Sequence, residues 1–120
     1  MKLPSIQNYA DSLLKCESEI RERLEILFAH YYSPKHTATM TELANLVGYP
    51  NHNAVNLQYG LLAHTLCEAM GVTKKQLGGE DVPWLHILVR FEKPHGGDWE
   101  LCLHDQVVKA LEQLDWVKHE

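Results

Sequence analysis

The stretch TMTELANLVGYPN, residues 39–51, leaves the chain little choice of local structure. A threonine followed three residues later by glutamate satisfies two orphan helix amides reciprocally, so a helix is expected to start after Thr39. Gly48 supplies the left-handed residue that ends it, and Pro50 cannot extend it. Asn51 or Asn53 can then cap a second helix running to about Met70 and closed by Gly71. Two helices joined by so short a turn form a helix-turn-helix, and the rest of the chain must pack around it.

At 100° per residue, Val55, Tyr59, Leu62, Leu66, Ala69 and Met70 share one side of the longer helix, which is its expected core face. Asn53, Asn56, Leu57, Gly60 and His64 fall on the other side. Residues 48–66 contain no charged side chain at all. Asn51, His52, Asn53, Asn56 and His64 suit close hydrogen-bonded contact rather than charge attraction. Gly60 costs a helix about 1 kcal/mol relative to alanine. It marks either a partner that comes very close or a gap that admits the preceding helix.

Upstream, Ile6, Tyr9, Leu13, Cys16, Ile20, Leu24, Leu27, Phe28 and Tyr31 recur at steps of three and four. This predicts one long amphipathic helix, or two joined near Ser18, with Pro4 in the first turn and Ser33-Pro34 as the stop. Its stripe is longer than a small domain needs, so a homodimer through this helix is one expectation. Downstream, residues 72–83 read as a loop. WLHILVRFE then alternates like a strand, with Leu85, Ile87, Val89 and Phe91 on one face. Residues 93–98 form a turn and WELCL returns, with Trp99, Leu101 and Leu103 on one face. A closing helix follows, with Asp105 as its cap and Val107, Val108, Leu111, Leu114 and Val117 spaced for burial.

The expected fold is therefore mainly α with a small antiparallel β-hairpin. Its order is that of a winged helix-turn-helix preceded by a long N-terminal helix: residues 1–33 helical, residues 34–120 the winged-helix domain, together one unit. In such folds the second helix of the pair enters the major groove and the hairpin is the wing. Asparagine makes bidentate contacts to adenine, which makes Asn53, Asn56 and His52 candidate base readers beside Gly60 and His64. The helix N-terminus with Asn51 can hold a phosphate. Lys35, Lys74, Lys75, Arg90, Lys93 and His95 are candidate backbone contacts. The expected partner is double-stranded DNA.

Charge argues the other way. The formal net charge is −5, and residues 37–72 contain no Lys or Arg. A duplex binder draws most of its affinity from phosphate contacts. A winged helix used purely for protein contact, such as an adaptor or inhibitor in a defence or phage system, has the same outline and no need of basic residues. Both readings stand at this point.

The strings TELANLVGY and AVNLQYGLLAHTLCEAMG, the Trp-led hairpin and the closing LDWV resemble a bacterial winged-helix domain over residues 37–117. That domain accompanies HNH-type nuclease domains in restriction and modification systems. Asn56 and Tyr59-Gly60 are the most specific part of the likeness, which implies reading of specific or modified DNA through the third helix and the wing. The chain departs from that setting in carrying no nuclease motif and in being acidic.

Catalytic signatures are thin. Cys67 one turn after His64, and Cys102 near His104, are better explained as half-buried thiols than as nucleophile pairs. His86 and His104 read as satisfied polar groups. No paired carboxylates, P-loop or nucleophile elbow is present. Three distant cysteines without a CxxC argue against both disulfides and zinc, and no His pair has a ligand spacing. No enzyme activity, metal or cofactor is expected. No stretch is apolar enough for a membrane span or a signal peptide, so a cytoplasmic location is expected.

Overall fold

The computed structural model describes residues 2–118. Helix α1 (Ile6–Lys15) is capped by Ser5, whose hydroxyl accepts from the Asn8 amide; Pro4 precedes the cap rather than entering the first turn. The long N-terminal helix is broken twice. After Cys16 come α2 (Glu17–Ile20), a 3₁₀ turn (Arg21–Arg23) and α3 (Leu24–Tyr32). The expected stripe is nevertheless buried: Tyr9, Leu13, Cys16, Ile20, Leu24, Leu27 and Tyr31 all lie in the core. Helix α1 packs on α5 (His52–Met70) and α7 (Asp105–Gln113) of the same chain. Ile6 and Phe28 of the stripe are partly buried against that core, while Leu14 and Tyr32 on the same helices stay exposed.

Between α3 and α4 (Met40–Val47), Thr37–Thr39 form a short strand β1 that the sequence did not betray. It pairs antiparallel with β3 (Glu100–Leu103), which also pairs with β2 (Val89–Glu92). The result is a three-stranded antiparallel sheet of order β1-β3-β2. The architecture is mainly helical with this one small sheet.

The helix pair forms as its sequence requires. Thr39 Oγ1 accepts from the Glu42 amide and Glu42 Oε1 accepts from the Thr39 amide, a cap worth about 1 kcal/mol. Gly48 sits at φ +81° and ends α4. Asn51, not Asn53, caps α5, its Oδ1 accepting from the Ala54 amide at 2.9 Å. Gly71 closes α5 at φ +71°. Leu46, by contrast, faces outward and is exposed.

Downstream, four expectations are corrected. Residues 72–83 hold a further helical turn, α6 (Lys74–Leu77), with its own capping box from Thr73 and Gln76. The stretch expected as one strand from Trp84 starts instead as a 3₁₀ turn (Trp84–Ile87) and becomes strand only at Val89. Pro83 in extended conformation leads directly into that turn, which packs along α5 and buries Leu85 and Ile87. Trp99, expected as the first residue of the returning strand, lies just outside β3 and is 55% exposed. At α7 the cap position is His104; Asp105 is the first helical residue and pairs with Lys109 at 3.0 Å.

The core is a single cluster drawing on every helix and on the sheet. Two buried polar contacts tie its layers. Tyr9 Oη donates to the Ile87 carbonyl at 2.7 Å, and His30 bridges α3 to α5 and β3. Among the described residues no buried side-chain nitrogen or oxygen lacks a partner.

Candidate functional site

The first turns of α5, the start of α4 and the turn end of the β2–β3 hairpin enclose a cleft of about 690 Å³. Its apolar wall comes from Met40, Pro83, Phe91, Trp99 and Leu101. Its polar groups are Thr39, Thr41, His52, Asn56 and His86, with Asp98 supplying its carboxylate. His52 and Asn56 are one helical turn apart and so point the same way along α5. The His86 ring lies 4.9 Å from the Phe91 ring. Burial, and secondarily the Lys74 ammonium, push the His86 imidazole below its ordinary pKa, so it is neutral at pH 7. Lys93 Nζ lies 5.5 Å from the centre of the Trp99 ring, within cation–π range.

The other candidates on α5 divide. Asn53 is exposed beside Leu57, itself 60% exposed. Gly60 faces open space: a Cβ built there meets nothing within 4 Å. The space beside this glycine is therefore not filled by α4. His64 is drawn aside. Its ring stacks on Trp84 at 4.4 Å and 10°, and its Nε2 lies 3.6 Å from Glu68.

The cations are less available than the sequence suggested. Lys74 Nζ stands 4.8 Å from the centre of the Trp84 ring and donates to the Val82 carbonyl. Arg90 Nε donates to Glu92 Oε1 at 2.8 Å, and this contact holds the Glu92 carboxyl below its usual range. Lys35 is exposed, in a left-handed conformation with φ +56°. Lys75 and His95 are also exposed, the latter in the hairpin turn. The structure thus gathers His52 and Asn56 with the turn end of the hairpin, and leaves Asn51 as a cap and His64 and Lys74 as partners of Trp84.

The thiols are buried. Cys67 is fully enclosed, and burial raises its pKa to about 12, which leaves it protonated and unreactive at neutral pH. His104 Nε2 donates to the His86 carbonyl at 2.9 Å. No group of three or more His, Cys, Asp or Glu among the described residues converges as a metal site. No described helix is long and apolar enough to cross a membrane.

Met40, Thr41, His86 and Phe91 were not singled out as site residues by sequence reasoning. Only their nonlocal convergence makes them a site, and no spacing along the chain encodes it. No family model, curated protein or solved structure matches the chain.

Proposed function

We propose that the chain is a non-enzymatic DNA-reading module of winged-helix type, with α5 as the reading helix and the β2–β3 hairpin as the wing. One observation carries this reading. The exposed start of α5 presents His52, Asn53 and Asn56, uncharged groups able to donate and accept, directly beside the hairpin and with no acidic side chain on that helix before Glu68. Amide side chains on a helix of this kind match the donor and acceptor pattern of adenine in the major groove. Gly60, open to solvent one turn further on, allows a surface to approach the α5 backbone closely. The resemblance of residues 37–117 to domains of restriction and modification systems points the same way and makes a modified site a reasonable target.

Duplex-binding measurements at low and moderate salt, across methylated and unmethylated random libraries, test the proposal. Enrichment of any duplex above background supports it. Uniform background in every library sinks it.

A second reading has its own observation. Arg90 is neutralised by Glu92, Lys74 is held on Trp84, and Leu57 and Leu61 are exposed on the outward side of α5. A helix face that mixes exposed leucines with an open glycine also suits packing against another protein. Pull-down followed by mass spectrometry addresses this adaptor or inhibitor reading, and a chain that recovers only itself counts against it. The cytoplasm is the compartment in which either reading operates.

A further inference from the structure

We propose that the cleft between α5 and the hairpin takes a single unpaired nucleobase, stacked on Trp99 and hydrogen-bonded along its edge by Asn56. This deepens the DNA-reading proposal and rests on it for the way the base is delivered.

The argument starts from the chemistry of the walls. A nucleobase is a flat ring with two apolar faces and an edge of alternating donors and acceptors. The cleft offers the complement. Trp99 is an aromatic ring left 55% exposed, and Phe91 and Met40 add apolar surface beside it. Asn56 supplies both an amide donor and a carbonyl acceptor, and Thr39 and Thr41 supply hydroxyls. No lysine or arginine brings positive charge to the lining groups, and burial pushes the His86 imidazole below its ordinary pKa. A site for a free anion would need such charge; a neutral heteroaromatic ring does not. The one carboxylate, Asp98, can accept from an exocyclic amino group but repels a phosphate placed against it. Lys93, whose ammonium lies over one face of the Trp99 ring, leaves the other face for the base.

Size and place agree with this occupant. A cleft of about 690 Å³ lies in the usual range for small-ligand sites and admits one base with its sugar. It opens between the two elements that the DNA-reading proposal sets against the duplex. A base inside an intact duplex has no free face, so the cleft can be filled only by a base that is out of the stack. Extrusion is cheapest where the base is mismatched, bulged or already single-stranded. Trp99 lies outside both strands and makes no part of the buried core, so its exposure serves no packing purpose within the chain.

The test compares the full chain with Trp99→Ala and Asn56→Ala. Each is titrated by fluorescence anisotropy against three labelled probes: a fully paired duplex, the same duplex with one bulged base, and a single-stranded oligonucleotide. Circular dichroism and thermal unfolding establish that each variant is folded. The bulged duplex is expected to bind about tenfold or more tighter than the paired one. Trp99→Ala should remove that advantage, weakening the bulged duplex about five- to a hundredfold, the range for loss of one base–aromatic stack, while leaving the paired duplex little changed. If paired and bulged duplexes bind equally and Trp99→Ala alters neither, the cleft assignment is wrong and the DNA-reading proposal survives. If no duplex binds but the single strand does, in a Trp99-dependent way, the cleft assignment stands and duplex reading fails. If no probe binds, both are overturned.

Discussion

His30 Nδ1 lies 2.7 Å from Tyr59 Oη, and its Nε2 lies 2.7 Å from the Leu101 carbonyl, with the ring fully buried. A carbonyl only accepts, so Nε2 carries the proton and Nδ1 accepts from the phenol. This neutral imidazole joins α3, the core side of α5 and β3 at the point where the helix pair meets the sheet. It therefore fixes how α5 stands relative to the hairpin.

A pH dependence of stability follows. Burial lowers the His30 pKa to about 4, below its unfolded value near 6.5. The unfolded chain thus binds the extra proton first. Stability from this group is complete above about pH 6.5 and is lost as pH falls toward 4, by up to about 3 kcal/mol. Denaturant unfolding at pH 7.5, 6, 5 and 4 measures it. The Tyr59→Phe variant should cost about 1–3 kcal/mol at neutral pH, because it leaves Nδ1 buried without a donor.

Gly60→Ala should separate stability from binding. The added methyl meets nothing within the chain, and alanine in place of glycine inside a helix is worth about 0.5–1 kcal/mol. Thermal unfolding should therefore show a more stable protein. If a partner approaches the α5 backbone here, affinity should fall at the same time. A variant both more stable and equally tight would mean that the open glycine is not part of the contact.

Asn51 offers a similar separation by charge. Its side chain caps α5; Asn51→Ala should cost about 1 kcal/mol, whereas Asn51→Asp should cost nothing, because aspartate caps equally well and favours the helix dipole. The new negative charge at the helix start should nevertheless weaken DNA binding several-fold. Melting curves and duplex titrations on the same two variants check both halves.

The salt dependence of DNA affinity should be shallow. With Arg90 tied to Glu92 and the half-buried Lys74 donating to the Val82 carbonyl, the exposed Lys35, Lys75 and Lys93 are the candidate cations left to meet phosphates. At about −0.9 per phosphate contact, the slope of log K against log salt should be no steeper than about −3. Glu92→Gln releases Arg90 and should raise affinity and steepen the slope by about 1. An unchanged slope would place the hairpin away from the DNA backbone.

What could be read from the residues was local. The Thr39–Glu42 cap, the Gly48 and Gly71 stops and the Asn51 cap are interactions over three or four positions, and the chain spells them out. The same signature at Thr73 and Gln76 was legible too, but Gly78-Gly79 and neighbouring charges made the stretch look like a loop. The alternation from Trp84 to Phe91 suggested a strand throughout. Its first half curls into a 3₁₀ turn because packing of Leu85 and Ile87 along α5 outweighs strand propensity. Strand β1 is three residues with two threonines, and its reason to exist is β3, some sixty positions away. The cleft was the least legible of all, since it joins residues 39–41, 52–56, 83–91 and 98–101. The availability of Arg90 and Lys74 was likewise invisible, because a cation's partners are set by three-dimensional neighbours.

The central claim is that the exposed face at the start of α5 reads duplex DNA, and Asn56 tests it most directly. The measurement is an anisotropy titration of random-sequence duplex, followed by its enriched site, with the native chain and with Asn56→Ala at low and moderate salt. The account predicts salt-sensitive binding by the native chain. It also predicts a loss of about five- to a hundredfold on the enriched site in the variant, the range for one bidentate base contact. No binding by the native chain at either salt, or equal affinity and selectivity in the two proteins, would contradict it.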